Sequence, residues 1–536
     1  MELFELVIAL LLGAAVLTTF GQRAGIPFPV LLALGGAALA FLPTEAVSAR
    51  LDPDLALVLF VAPALLDTAY DTSLRDLKQN WRPIGSLVIA AVGVTVVAVA
   101  LVSRWLVPDL PWPAAIALGA IVAPPDAVAA SAVLRQLSPP YRIMVILEGE
   151  SLLNDATALL IYRAALYALG GHFSAWSTLP LFVAGSLGGL ALGYGLARLF
   201  PLLTRHLAEG PVEVVMQFVG TFGVWLLADA VGLSPILTVV AYAMTLARTS
   251  GGHQGAEARV SSFAVWDVAV YVLNALAFIL MGLQLKEIGR NLQGGIGLYV
   301  GFAAAVLVAV ILVRLAWMML YSLWVRQSRR WSRGADARLP TLGGTLTLGW
   351  CGMRGVVTLA TALALPYAEG GSSFPHRDLL VCAAFGVVLG TLVIQGLTLG
   401  PLIRWLDLAD DGMVAREEVL ARQDAARAAL KALDGETRPE AETLRREYNF
   451  RLEEETPADE TLKPHAIGKL RLKVIRAERE ALQRLRRSQR IGDAAFQTVQ
   501  EELDWAEGHA VHRRRAFTAE APPEAEGHTA SSSRKA

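Results

Sequence analysis

Two acids, an amide and a hydroxyl fall together in Gly149-Glu150-Ser151-Leu152-Leu153-Asn154-Asp155-Ala156-Thr157, inside a largely apolar run from Ile143 to Leu169. On a helix Glu150 and Asn154 share one face at i, i+4, as do Ser151 and Asp155. The result is an oxygen-rich stripe, the ligand chemistry of small hard cations such as Na⁺. The run is long enough to cross a bilayer, where an Asp at the helix centre costs about 2.5–3.5 kcal/mol. Glu148 and Glu150 also sit near the start of the helix, where acids are favourable without any further role. Asp155 lies deeper, beyond the reach of that explanation.

Other polar residues in apolar runs extend the set of candidates. Asp126 follows Pro124-Pro125, and consecutive prolines remove backbone donors and break a helix. A broken helix at membrane depth has to be buried or line a cavity, and its freed carbonyls and half-helix ends are ion-binding elements. Arg314 lies in the middle of Ile311-Leu312-Val313-Arg314-Leu315-Ala316-Trp317. Arg354 is set among glycines in Gly349-Trp350-Cys351-Gly352-Met353-Arg354-Gly355-Val356-Val357, which reads as a second interrupted helix or a close helix crossing. Glu213 and Asp229 fall near span ends, where exposure costs little. Asp267 also lies towards one end and either lines an access funnel or is simply exposed. Arg163 is expected to snorkel.

These residues need membrane helices to hold them. A mean hydropathy of +0.48 with 54% hydrophobic residues over 536 positions indicates an all-α polytopic membrane protein. The pattern gives about 13 transmembrane helices. They fall near 3–20, 26–42, 53–68, 84–106, 113–134, 143–169, 176–202, 210–230, 233–247, 263–284, 295–324, 341–367 and 378–404. Glu2 and Glu5 stand where a signal peptide would carry basic residues, so the first span is expected to be retained. Cys351 and Cys382 are the only cysteines and His172, His206, His253 and His376 fall in loops, which excludes a disulfide framework and Cys- or His-based metal chemistry. No cofactor and no nucleic-acid partner is expected.

Alternate loops differ in charge. One set holds Arg23, Arg75, Lys78, Arg82, Arg135, Arg142, Arg198, Arg205, Arg248, Arg259, Arg326, Arg329, Arg330, Arg333 and Arg338. The opposite set holds only Arg50, Arg104, Lys286, Arg290 and Arg377. Basic loops face the cytoplasm, so the amino terminus is expected outside the plasma membrane and the tail inside. Residues 1–406 form the membrane domain, and 407–515 a helical cytoplasmic tail that regulates or oligomerises. Its stripes run through Ala426, Leu430 and Leu433, then Leu470, Ile475, Leu482 and Leu485, then Phe496, Val499 and Leu503. Arg484, Arg486, Arg487 and Arg490 could rest on anionic lipid. Residues 516–536, rich in Pro, Ser and Ala, read as disordered.

From about residue 3 to 404 the chain resembles the first of the cation–proton antiporter families, the bacterial Na⁺/H⁺ exchangers related to animal sodium–proton exchangers. The resemblance rests on Pro125-Asp126-Ala127-Val128, Gly149 to Asp155, Arg314 and Gly352-Met353-Arg354-Gly355. It rests also on Phe278-Ile279-Leu280-Met281-Gly282-Leu283-Gln284 and Thr391-Leu392-Val393-Ile394-Gln395-Gly396-Leu397-Thr398. It implies two inverted six-helix repeats with interrupted helices 5 and 12 crossing at mid-membrane, a homodimer, and an elevator-like or rocking exchange. It further implies that Asp155 alternately holds the cation and the proton, with Asn154, Ser151 and Asp126 near the ion. Glu150 and Arg314 match a structural ion pair, and Arg354 a basic residue at the crossing. The Asn154-Asp155 pair matches electroneutral members. Pro125 stands where many relatives carry Thr or another residue, so no side-chain ligand is available there and the ion preference stays open.

Among Asp126, Glu150, Asp155, Arg314 and Arg354 the acids exceed the bases by one, so a single Na⁺, K⁺ or H⁺ neutralises the site. Competition between metal ion and proton at Asp155 then links their opposite fluxes. Only the neutralised site crosses cheaply. The expectation is a secondary antiporter of Na⁺ against H⁺ serving pH homeostasis. A K⁺/H⁺ antiporter is the alternative, and a cation channel, which needs a continuous pore of weak sites, a more distant one. An aspartyl protease would need two cooperating Asp, but the arginines and the lack of a Gly-x-Gly-Asp signature argue against it.

Overall fold

Peptide groups in lipid have no water to bond, so an apolar chain of this composition satisfies them within helices. The computed structural model describes residues 2–41, 53–134, 137, 139–170, 175–204, 211–249, 256–291, 296–331, 341–366, 374–408, 411–455, 464–487, 499, 502–503 and 505–507. Among the described residues every regular element is helical. Arg50, Arg135, Arg205, Arg333, Arg338, Arg490 and Phe496, three of the loop histidines and the stretch 516–536 lie outside them.

The first compact unit, Met1–Ala409, begins with α1 (Glu2–Ala24), α2 (Phe28–Ala40) and α3 (Pro53–Ala56). A π-helical turn, Leu57–Val61, leads into α4 (Ala62–Asp71). Two short helices, α5 (Leu74–Gln79) and α6 (Trp81–Gly85), and a second π-helical segment, Ser86–Ala91, precede α7 (Val92–Leu106). The centre of the chain holds α8 (Trp112–Val122), α9 (Ala127–Leu134), α10 (Tyr141–Leu169), α11 (Ala175–Thr204), α12 (Pro211–Ala230) and α13 (Pro235–Thr249). It continues through α14 (Ala256–Asn291), α15 (Ile296–Trp331), α16 (Leu342–Trp350), α17 (Val356–Leu363) and α18 (Arg377–Trp405). Among the described residues seven stretches, within α1, α6–α7, α11, α12, α14, α15 and α18, are long and apolar enough to cross a membrane by length and composition. The helix with the polar stripe, α10, is not one of them, which reflects its acids and amide.

Packing is tightest where side chains are smallest. Helix α2 lies along α14 with Gly36 against Ile279 and Gly282, and a Cβ on either glycine would run into the other helix's backbone. This explains Gly282 within the Phe278–Gln284 motif. Elsewhere α10 packs on α8, α7 on α8, and α15 on α18. At one end of α10, Tyr141 donates to Asp76 at 3.0 Å and Arg142 donates to Asn80 at 2.9 Å, which ties α5 to α10. Burial pushes the Asp76 carboxyl up, but hydrogen bonds from Arg75, Tyr141 and Ser73 outweigh it and hold the group below its ordinary range.

The second compact unit, Asp410–Ala536, contains α19 (Met413–Ala432), α20 (Pro439–Glu455) and α21 (Pro464–Arg487). Helices α19 and α20 pack together across a turn that uses Gly435 at φ 85°. Of the expected apolar stripes, Ala426, Ile475 and Leu482 are buried.

Candidate ion-binding site

The two sequence breaks meet. Helix α8 ends at Val122, and Pro124-Pro125 carry the chain to α9; α16 ends at Trp350, and Cys351–Gly355 carry it to α17. The Asp126 amide donates to the Met353 carbonyl at 2.7 Å, so one gap lies directly against the other.

Such a junction leaves helix ends with uncompensated dipoles in a low-dielectric interior. Asp126 and Arg354 answer them with opposite charges. The Asp126 carboxylate accepts the Val128 amide at 2.9 Å, at the N-terminus of α9, and also the Val356 amide, at the N-terminus of α17. It lies so close to Gly355 that no Cβ would fit there. Arg354, 1% exposed, donates from Nε to the Val122 carbonyl at 2.9 Å and from Nη2 to the Ala123 carbonyl at 3.2 Å, capping the C-terminus of α8. Its Nη1 donates to the Gly352 carbonyl just past α16, and its backbone amide donates to Thr391 Oγ1 at 3.0 Å. A charge at a helix end is worth up to about 2 kcal/mol when partly buried. Each of these two side chains serves two ends.

Helix α10 passes beside this junction. Glu150 and Arg314, 1% and 3% exposed, form a two-pronged pair, Nη1 to Oε1 at 2.5 Å and Nη2 to Oε2 at 2.8 Å. Arg314 Nη2 also donates to the Leu348 carbonyl at 3.2 Å. Asn154 is fully buried and donates from Nδ2 to the Pro125 carbonyl at 3.0 Å, while its Oδ1 has no partner among the described residues. The half-buried Ser151 lies one turn before Asp155 on the same helix. Asp155 is 6% exposed, and among the described residues no hydrogen bond reaches its carboxylate. It faces a small cavity, with room for about one water, shared with Pro124, Tyr162, Val357 and Thr361. Glu150 and the half-buried Asp126 are therefore engaged by protein partners, and Asp155 is the acid turned towards the cavity.

A family model described as sodium/hydrogen exchanger, transmembrane, matches residues 6–405. The chain belongs to the sodium/hydrogen exchanger family. An uncharacterized Na⁺/H⁺ exchanger of Escherichia coli, YjcE, is 30% identical over 525 residues, covering 90% of this chain and 94% of the relative. The Na⁺/H⁺ antiporter ApNhaP of Aphanothece halophytica is 31% identical, covering 81% of this chain and 80% of the relative. A sodium, potassium, lithium and rubidium/H⁺ antiporter of Bacillus pumilus is 29% identical, covering 89% and 73%. In fold, the chain is similar to the sodium proton antiporter MjNhaP1 of Methanocaldococcus jannaschii, with a TM-score of 0.59 at 16% identity over 76% of this chain and 99% of that one.

In this exchanger-family chain several residues at the site carried no clear signal in the sequence. Tyr162 reads as an ordinary span residue, yet its buried hydroxyl has no partner among the described residues and it lines the Asp155 cavity. Its spacing of seven positions from Asp155 puts both on one helix face, and that was the available clue. Thr391 opens the Thr391–Thr398 motif, but its role in holding the Arg354 amide depends on a contact 37 positions apart. Arg377, read as a loop base, is instead buried at the start of α18 and donates to the Leu363 and Leu365 carbonyls, at 2.8 Å each, capping α17.

Proposed function

We propose that this chain is a secondary antiporter that exchanges a monovalent cation, Na⁺ first among them, for H⁺ by alternating access, with Asp155 as the shared binding group. The observation that carries this reading is a buried carboxylate that faces a cavity and has no protein hydrogen bond among the described residues. A carboxylate so placed needs a counter-charge, and a metal ion or a proton supplies it, but not both at once. The unpaired Asn154 Oδ1 and the Ser151 hydroxyl are the further oxygen ligands on α10, and Asp126 acts from the junction while capping α9 and α17. Glu150–Arg314 and Arg354 are structural charges. The Asn154 amide is locked on the Pro125 carbonyl, so that carbonyl is shared between amide and cation.

The same reading takes the membrane domain, 1–406, as about 13 helices in two inverted repeats, assembled as a homodimer, with the amino terminus outside. The tail, 407–515, regulates it from the cytoplasm. K⁺/H⁺ exchange is the second reading, supported by the name of the Bacillus pumilus relative.

In proteoliposomes carrying a pH-sensitive dye, Asp155→Asn should abolish proton movement driven by Na⁺, Li⁺ or K⁺ while the protein still reconstitutes. Retained exchange would refute the assignment. Comparing the three cations in the unaltered protein ranks its selectivity, and current without counter-transport would favour a channel.

A further inference from the structure

Helix α21 concentrates basic charge. Its 24 residues hold eight Lys and Arg against two Glu, whereas the whole chain carries a net charge of −1. At 3.6 residues per turn, Lys473, Arg476 and Arg484 fall within about 80° of the helix circumference, with Glu480 the one acid in that sector. The structure turns this sector outward: all four side chains are exposed, as is Ala477 among them. A single surface base is simply solvated, but three on one face with one acid make a field of one sign.

The opposite side of the helix is taken up by the tail itself. Leu472, Ile475 and Leu482 are buried there, and Arg479, which shares that side, pairs with Glu507 at 2.5 Å. Lys473, Arg476 and Arg484 have no ion-pair partner among the described residues. The apolar stripe is therefore already covered, and the basic face is what remains to meet a partner. Connectivity says which polyanion that is. The second compact unit begins at Asp410, five positions after α18 ends at Trp405, and α18 is among the stretches able to cross a membrane. A face tethered to a bilayer in this way meets lipid headgroups at high effective concentration.

We propose that the Lys473, Arg476 and Arg484 face of α21 binds anionic lipid headgroups and holds the tail at the bilayer surface. This deepens the reading of residues 407–515 as a cytoplasmic regulatory tail, on which it rests, by naming the tail's partner. Three bases at an anionic surface favour contact by roughly a hundredfold. The contact is electrostatic, with no apolar side chain inserted, so added salt releases it.

The test is fluorescence quenching of the full chain in nanodiscs that contain a trace of phosphatidylcholine with a nitroxide on its headgroup. Ala477→Cys carries the fluorophore, and the unsubstituted chain, with Cys351 buried and Cys382 half-buried, gives the background. Quenching should be at least about threefold stronger in equal parts phosphatidylglycerol and phosphatidylcholine than in phosphatidylcholine alone. It should be lost in about 0.5 M N-methylglucamine chloride, a salt without Na⁺. It should also be lost when Lys473→Gln, Arg476→Gln and Arg484→Gln are combined, with the melting temperature unaltered because all three side chains are exposed. Equal quenching in the two lipids, or quenching that survives the triple substitution, would overturn the proposal. So would release of the labelled face by an equimolar amount of RNA, which would assign it to nucleic acid. The measurement involves no transport, so its failure and that of the antiporter reading are separate results.

Discussion

Glu150 and Arg314 are 164 positions apart and meet as a two-pronged pair with almost no exposure. In a buried pair the attraction roughly offsets the lost hydration, whereas removing one partner strands the other at about 3–5 kcal/mol. Arg314→Met should therefore lower the melting temperature of the detergent-solubilised protein sharply, and Glu150→Gln added to it should restore most of the loss. A double variant no more stable than the single one would show that Arg314 acts through other contacts. Tyr162 poses the opposite problem, because its hydroxyl is buried and unpaired among the described residues. Leaving a buried hydroxyl unpaired costs about 1–3 kcal/mol. Tyr162→Phe should leave the melting temperature unchanged or raise it, while raising the half-saturating cation concentration. A variant with unaltered transport would remove Tyr162 from the ion path.

At the scale of elements, the junction of α8–α9 with α16–α17 is held by two side chains that each serve two helix ends. Gly355 gives way to Asp126, so Gly355→Ala should displace the carboxylate and free two N-terminal amides together. The expected loss is about 1–3 kcal/mol, of the size seen for overpacking, with exchange falling by more than stability alone explains. Wild-type exchange in this variant would show that the Asp126 contacts are dispensable. The helices themselves were legible in the sequence because apolar runs between short polar loops leave no other way to satisfy a backbone in lipid. Both interruptions were legible too, one from Pro124-Pro125 and one from the glycines around Arg354. The partners were not legible. Arg354 reaches Val122 across 232 positions and Arg377 caps α17 from the start of α18, contacts set by packing and not by local spacing. The π-helical turns at Leu57–Val61 and Ser86–Ala91 left no mark in residue type that distinguishes them from α-helix.

For the whole molecule the deciding quantity is the charge that crosses the membrane in each half-cycle. On the proposed assignment, Asp126, Glu150 and Asp155 oppose Arg314 and Arg354, which would give the site one net negative charge when empty and none when Asp155 holds a proton or one metal ion. Both loaded states are then neutral, and an exchange that shuttles only loaded states moves no net charge. Each elementary charge carried across 100 mV corresponds to about 2.3 kcal/mol. A transporter that moved net charge would therefore respond strongly to potential. Clamping the potential with valinomycin and K⁺ gradients should leave the rate of Na⁺-driven proton movement unchanged. Asn154→Asp adds a second buried carboxylate next to Asp155, so each state loaded with a single ion carries one net negative charge unless it takes up a further proton. Its rate should become dependent on potential, or on pH where that proton is bound. A wild-type rate that follows the potential would mean that the charge count is wrong, and that another titrating group travels with Asp155.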